Sequence, residues 1–158
     1  MATWRLVDGS TGVIDRANHV VVRERDSWTI HTEAELLGIL ERLAGPKDRV
    51  MWLESGNTSV TFGLGGDFSF VVGTCKLEYG KSYLSGIRPE ECYGDKIWFQ
   101  VWQDDLFELD CQQLIPWSQA LEIILWAFRH DDLPDWDQES GCRPPSRPPD
   151  RYDDEVPF

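Results

Sequence analysis

Arg49-Val50-Met51-Trp52-Leu53-Glu54, Ser59-Val60-Thr61-Phe62-Gly63-Leu64 and Phe68-Ser69-Phe70-Val71-Val72 decide how this chain folds. Each run is short and rich in β-branched and aromatic residues, which suit a pleated, half-buried surface. Ser55-Gly56-Asn57 separates the first two, and Gly65-Gly66-Asp67 separates the last two, with glycines to supply positive φ in the turn. Three strands joined by two tight turns predict an antiparallel meander with one face on helices.

The helices stand on either side of that block. Thr32-Glu33-Ala34-Glu35 reads as a capping box, in which the Thr32 hydroxyl accepts the Glu35 N–H and the Glu35 carboxylate returns to the Thr32 N–H. Leu36, Leu37, Leu40, Leu43 and Ala44 follow at helical spacing, and Gly45-Pro46 stops the helix. Beyond the sheet, Pro116 opens a second helix over Trp117 to Arg129. Leu121, Ile124, Leu125 and Phe128 mark one face of it, and Leu133-Pro134 ends it. Shorter strands are expected at Thr3–Val7, His19–Val22 and Ser27–Ile30. Ile97–Trp102 reads as a strong strand, paired with Leu106–Leu109 across Gln103-Asp104-Asp105. The expectation is an α+β fold: an antiparallel meander with two principal helices packed on one face, forming a single domain over residues 1–137. Residues 138–158 differ, with Pro144, Pro145, Pro148, Pro149 and Pro157 and no period. Alone they read as an extended or disordered tail, acidic and proline-rich; the alternative is docking on the domain or on a partner through Tyr152, Val156 and Phe158.

Charge narrows the function. The 158 residues carry a net charge of −13. Residues 1–103 hold −3 of it and residues 104–158 hold −10. Phosphate contact requires a basic surface, so direct nucleic-acid binding is not expected. A basic protein partner is, with attraction raising the on-rate. No apolar run approaches the ~20 residues that cross a bilayer, and the N-terminus has no basic region followed by an apolar stretch. A cytoplasmic location and no membrane contact are the expectation.

Signatures of chemistry are missing. There is no G-x-S-x-G, no phosphate-binding loop and no H-E-x-x-H. Gly63-Leu64-Gly65-Gly66 precedes a strand, so it lacks the helix N-terminus that phosphate sites exploit. Cys75, Cys92, Cys111 and Cys142 show no C-x-x-C spacing, and His19, His31 and His130 lie far from them in sequence. Asp131-Asp132-Leu133-Pro134-Asp135 lacks the glycine and closing Glu of a calcium loop. Glu54 with Asp67 is one imaginable acid–base pair, though spacing alone cannot bring the two together. The reading is a binding protein with no cofactor, no metal and no catalytic residues.

Eight tryptophans divide by context. Trp52, Trp98, Trp102 and Trp126 lie in periodic elements and are expected in the core. Trp136, between Asp135 and Asp137, reads either as an interface anchor inside a polar rim or as a cap folded over the helix end. Asp131 and Asp132 stand where the helix dipole disfavours negative charge, which marks either a functional surface or a solvated loop.

Three segments together resemble the immunity protein family one of bacterial polymorphic toxin systems. They are Thr32–Leu40, the turn Gly65-Gly66-Asp67-Phe68-Ser69-Phe70-Val71, and Ile115–Ala120 continuing through Phe128-Arg129-His130-Asp131-Asp132-Leu133-Pro134-Asp135-Trp136. They span about residues 28–137. This chain departs from the family in Asp132, where many relatives carry a small residue, and in its proline-rich tail. The resemblance implies a cytoplasmic protein that binds a cognate toxin domain and blocks it, the toxins often resembling nucleic-acid deaminases. An acidic protein fits the basic groove of such an enzyme and keeps the target base out. The residues expected to touch the toxin are Asp104, Asp105, Glu108, Asp110, Asp131, Asp132, Trp136 and Asp137, in a one-to-one complex with a monomer. A small acidic secretion chaperone or adaptor is the alternative, marked by a stable homodimer and an unfolded effector segment as its partner. A carbohydrate-binding module, suggested by the tryptophans, would need an exposed coplanar row of them.

Overall fold

A computed structural model describes residues 3–45, 48–75, 79–83, 96–103, 105–110 and 114–135. The expected α+β architecture is present. Strands β1 (Trp4–Asp8), β2 (Val13–Asp15), β3 (Val20–Arg23) and β4 (Ser27–Ile30) lead into helix α1 (Glu33–Leu43). The central block is β5 (Arg49–Glu54), β6 (Thr58–Leu64), β7 (Phe68–Ser69), β8 (Val71–Cys75) and β9 (Tyr79–Tyr83). The hairpin β10 (Lys96–Val101) and β11 (Asp105–Asp110), the short β12 (Ile115–Pro116) and helix α2 (Trp117–His130) complete it.

The main sheet runs β4-β1-β5-β6-β8-β9, with every neighbouring pair antiparallel. It branches at Arg49, which pairs in parallel with Gln100 of β10. Strand alternation then sorts the side chains. Met51 and Leu53, Val60, Phe62 and Leu64, and Val71 and Cys75 face one side. There they meet Leu36 and Leu40 of α1 and Ala120, Ile123, Ile124 and Ala127 of α2. Both helices therefore pack on one face. Trp4 lies against Phe128 at 5.5 Å and Phe62 against Trp117 at 6.3 Å.

A second core forms on the opposite face, from Val50, Phe70, Phe99, Leu109 and Leu114. The β10–β11 hairpin closes over the sheet there. A Cβ on Gly63 would overlap the Phe99 ring, so glycine is what lets Phe99 seat. Phe70 meets Phe99 and Phe107 edge-on, at 5.0 and 5.6 Å.

Local details depart from expectation in two places. Phe68–Val72 is not one strand. Buried Ser69 donates through Oγ to the Gly63 carbonyl (2.6 Å), Phe70 turns into the second core, and β7 leaves the sheet to pair with β12. Thr32 does cap α1, accepting the Glu35 N–H at 3.1 Å, but the Glu35 carboxylate takes the N–H of His31 instead of Thr32. Helix α2 starts at Pro116 with no side-chain cap, and the Asp67 carbonyl accepts the Trp117 N–H at 2.8 Å.

Candidate interaction surface

The β10–β11 hairpin covers the second core with one face and leaves the other outward. Phe99 and Leu109 point in. Trp98 and Leu106 point out and are 49% and 58% exposed. The register sets Trp98 opposite Glu108 and Gln100 opposite Leu106, with Asp105 and Asp110 at the two ends of β11. Two large apolar groups, one on each strand of the hairpin, thus flank Glu108. Trp98 corrects the expectation that it belongs to the core. Its parity with buried Phe99 was the available signal, because adjacent strand residues face opposite ways.

Two contacts fasten the turn end of the hairpin. Trp102 adopts φ 61°, an uncommon backbone for a bulky residue. This places its ring 3.3 Å from the Arg25 guanidinium carbon, whose other side faces Trp52 at 4.5 Å. Arg25 also donates to the Gly9 carbonyl at 3.1 Å. Desolvation between the rings lowers its pKa, and nearby Asp8 opposes that shift. A Cβ on Gly12 would strike both Arg25 and Trp102, so glycine keeps the stack closed. Beneath it, fully buried Asp8 accepts from Arg49 at 2.7 Å and from Ser10 Oγ at 2.7 Å. At the hairpin tip, Arg16 pairs with Asp105 at 2.7 Å.

The helix exit is built differently. Asp131 takes the left-handed conformation (φ 51°) that ends α2, and its carboxylate accepts the Ser55 hydroxyl. Asn57 donates to the Asp131 carbonyl at 2.8 Å. Asp132 accepts the Cys75 thiol at 3.2 Å and the Leu133 N–H at 2.8 Å. Leu133 is buried above Gly73, and Tyr83 donates to the Pro134 carbonyl at 2.6 Å. These aspartates tie the exit to the β5–β6 turn and to β8.

The expected binding residues therefore separate. Asp105, Glu108 and Asp110 all lie on β11, where Glu108 shares the outward parity of Leu106, while Asp105 has the parity of buried Leu109 and is paired with Arg16. Asp131 and Asp132 lie beyond the far end of β5, on the helix side. Asp104, Trp136, Asp137 and the 138–158 tail lie outside the described residues. Glu54 and Asp67 do not meet: Glu54 pairs with Ser59 at one end of β6, and Asp67 follows Leu64 at the other. Among the described residues no three His, Cys, Asp or Glu side chains gather as a metal site, and no helix is long and apolar enough to cross a membrane.

An open groove of about 650 Å³ runs between the start of α1 and the end of α2, floored by Trp4, Ile30 and Phe128. The Arg129–Glu33 pair (2.6 Å) spans its rim and lowers the Glu33 pKa. These two charges are matched to each other.

Comparison with family models, with curated proteins and with solved structures gives no match to this chain. Fold and surface together define a class: a small acidic α+β protein with exposed Trp98 and Leu106 on an acidic hairpin.

Proposed function

We propose that this chain is an immunity-type inhibitor, which binds a toxin domain through the outward face of β10–β11 and covers the toxin's basic substrate groove. One observation carries the reading: Trp98 of β10 and Leu106 of β11 stand exposed beside Glu108, on a hairpin whose second strand also bears Asp105 and Asp110. Interfaces concentrate affinity in a few aromatic and aliphatic anchors within a polar rim, while the rim charges steer encounter. A net charge of −13 adds long-range attraction to any basic enzyme. In this role the protein is cytoplasmic, carries out no chemistry of its own, and stops a nucleic-acid deaminase type of toxin by excluding its substrate.

The test pairs this protein with the product of the neighbouring gene, which this reading expects to end in a toxin domain. Co-purification and loss of that domain's activity are the expected results. Trp98→Ala should speed dissociation by at least about ten-fold. Glu108→Lys should slow association and flatten its salt dependence. A complex indifferent to both substitutions would move the interface elsewhere. Capture of an unfolded effector segment in place of a folded domain would favour the secretion-chaperone alternative.

A further inference from the structure

Strand β3 has no core face. Val20, Val21 and Val22 are 52%, 41% and 66% exposed, although successive residues point to opposite sides of the ribbon. Among the described residues β3 pairs with β2 alone, and no described strand lies along its other edge. A β-branched edge of this kind is a template for another strand, and proteins usually blunt it with lysine, proline or a cover. Here the first three of the four positions are all valine.

We propose that β3 pairs edge to edge with β3 of a second copy of this chain, giving a two-fold symmetric dimer with a four-stranded ribbon at its centre. Charge selects this occupant. The protein as a whole carries −13, yet residues 13–26 balance Asp15, Glu24 and Asp26 against Arg16, Arg23 and Arg25. A basic partner gains little from a neutral ribbon, whereas a second copy meets no local repulsion. An antiparallel register centred on Val21 is its own two-fold mate and aligns the three valines of each strand. A four-residue edge makes a concentration-dependent pair, which differs from both the monomer expected from sequence and the stable homodimer of a chaperone.

Salt separates this contact from the hairpin surface. Self-association works against the repulsion of two −13 chains, so screening strengthens it, while binding of a basic partner weakens as salt rises. The experiment is sedimentation of the full chain alone across a concentration series, at about 0.15 M and about 1 M salt. The mass should rise from 18.2 kDa toward twice that value, and more readily at high salt. Val22→Lys should weaken association at least about ten-fold by blunting the edge, and Val22→Ile should preserve it. Since Val22 is mostly exposed, the lysine variant should keep the parent's circular dichroism and melting temperature. A parent chain that stays monomeric throughout, a Val22→Lys protein that associates as the parent does, or association that weakens with salt would each overturn the proposal. No toxin enters this measurement, so its outcome is independent of the immunity reading.

Discussion

Leu133 occupies the space above Gly73 that any larger residue on β8 would need. A Cβ added at Gly73 would overlap Leu133 Cδ2, and Leu133 is 3% exposed. Gly73→Ala should therefore destabilise the protein by ~1–3 kcal/mol through overpacking, and Leu133→Ala by ~2–5 kcal/mol through the cavity it leaves. The double variant should cost less than the sum, because the new methyl enters the vacated space. Denaturant titration of the three variants checks this, and strict additivity would contradict the contact.

Asp131 and Asp132 should act on stability before they act on any partner. Asp131→Ala strands the Ser55 hydroxyl and keeps a left-handed backbone that alanine disfavours, so a loss of ~1–2 kcal/mol is expected. Asp132→Ala removes the acceptor of the Cys75 thiol and the Leu133 N–H, with a similar loss of ~1 kcal/mol. In a binding experiment at a temperature where both variants are folded, association rates should match the parent. A slowed association without a change in stability would return the helix exit to the interface.

Arg25 joins two tryptophans from different elements, and its removal should be visible in both. Arg25→Ala should lower stability by ~1–2 kcal/mol, since the cation is partly desolvated between the rings. It should also shift the emission of the tryptophans as Trp52 and Trp102 gain water. Arg25→Lys should recover part of the stability but not the flat stacking of a guanidinium. Equal losses for alanine and lysine would show that the aliphatic stem, and not the cation, does the work.

Two carboxylates should shape the acid side of the stability profile in opposite directions. The Arg129 guanidinium holds Glu33 below its ordinary value. A depressed folded-state pKa contributes stability that is present above the unfolded value and lost as pH falls through the folded one. Burial raises Asp48, against the Gly66 N–H it accepts, so its contribution is fully present below its unfolded value and is lost as pH rises through its folded one. Glu33→Gln should flatten the acid-side decline, and Asp48→Asn should raise stability near neutral pH. Unfolding curves taken between pH 3 and pH 7, as a window of about one unit or more around the ordinary carboxylate values, test both signs.

Much of the architecture was legible along the chain because it rests on short-range rules. The Thr32 cap, the helical spacing from Leu36 to Leu43, the α2 stripe and the turns at residues 55–57 and 65–67 are each specified by neighbours a few positions apart. The break at Phe70 was not legible, because Ser69 leaves the strand for a hydrogen bond to Gly63, six residues earlier in a different strand. Among the candidate binding residues, the outward position of Glu108 follows from alternation once the hairpin is known. The internal use of Asp131 and Asp132 does not, since their partners Ser55 and Cys75 lie 76 and 57 positions away.

By itself the sequence determined the class of fold, the uneven charge and the two helices on one face, since periodicity and capping are local properties of a chain. Only the tertiary structure decided that Asp131 and Asp132 are spent on holding the fold while Glu108 stays outward, and that Trp98 faces out and β3 has no core beneath it. Those outcomes depend on what each side chain meets across the sheet, where packing and long-range hydrogen bonds choose between faces that the local pattern treats alike.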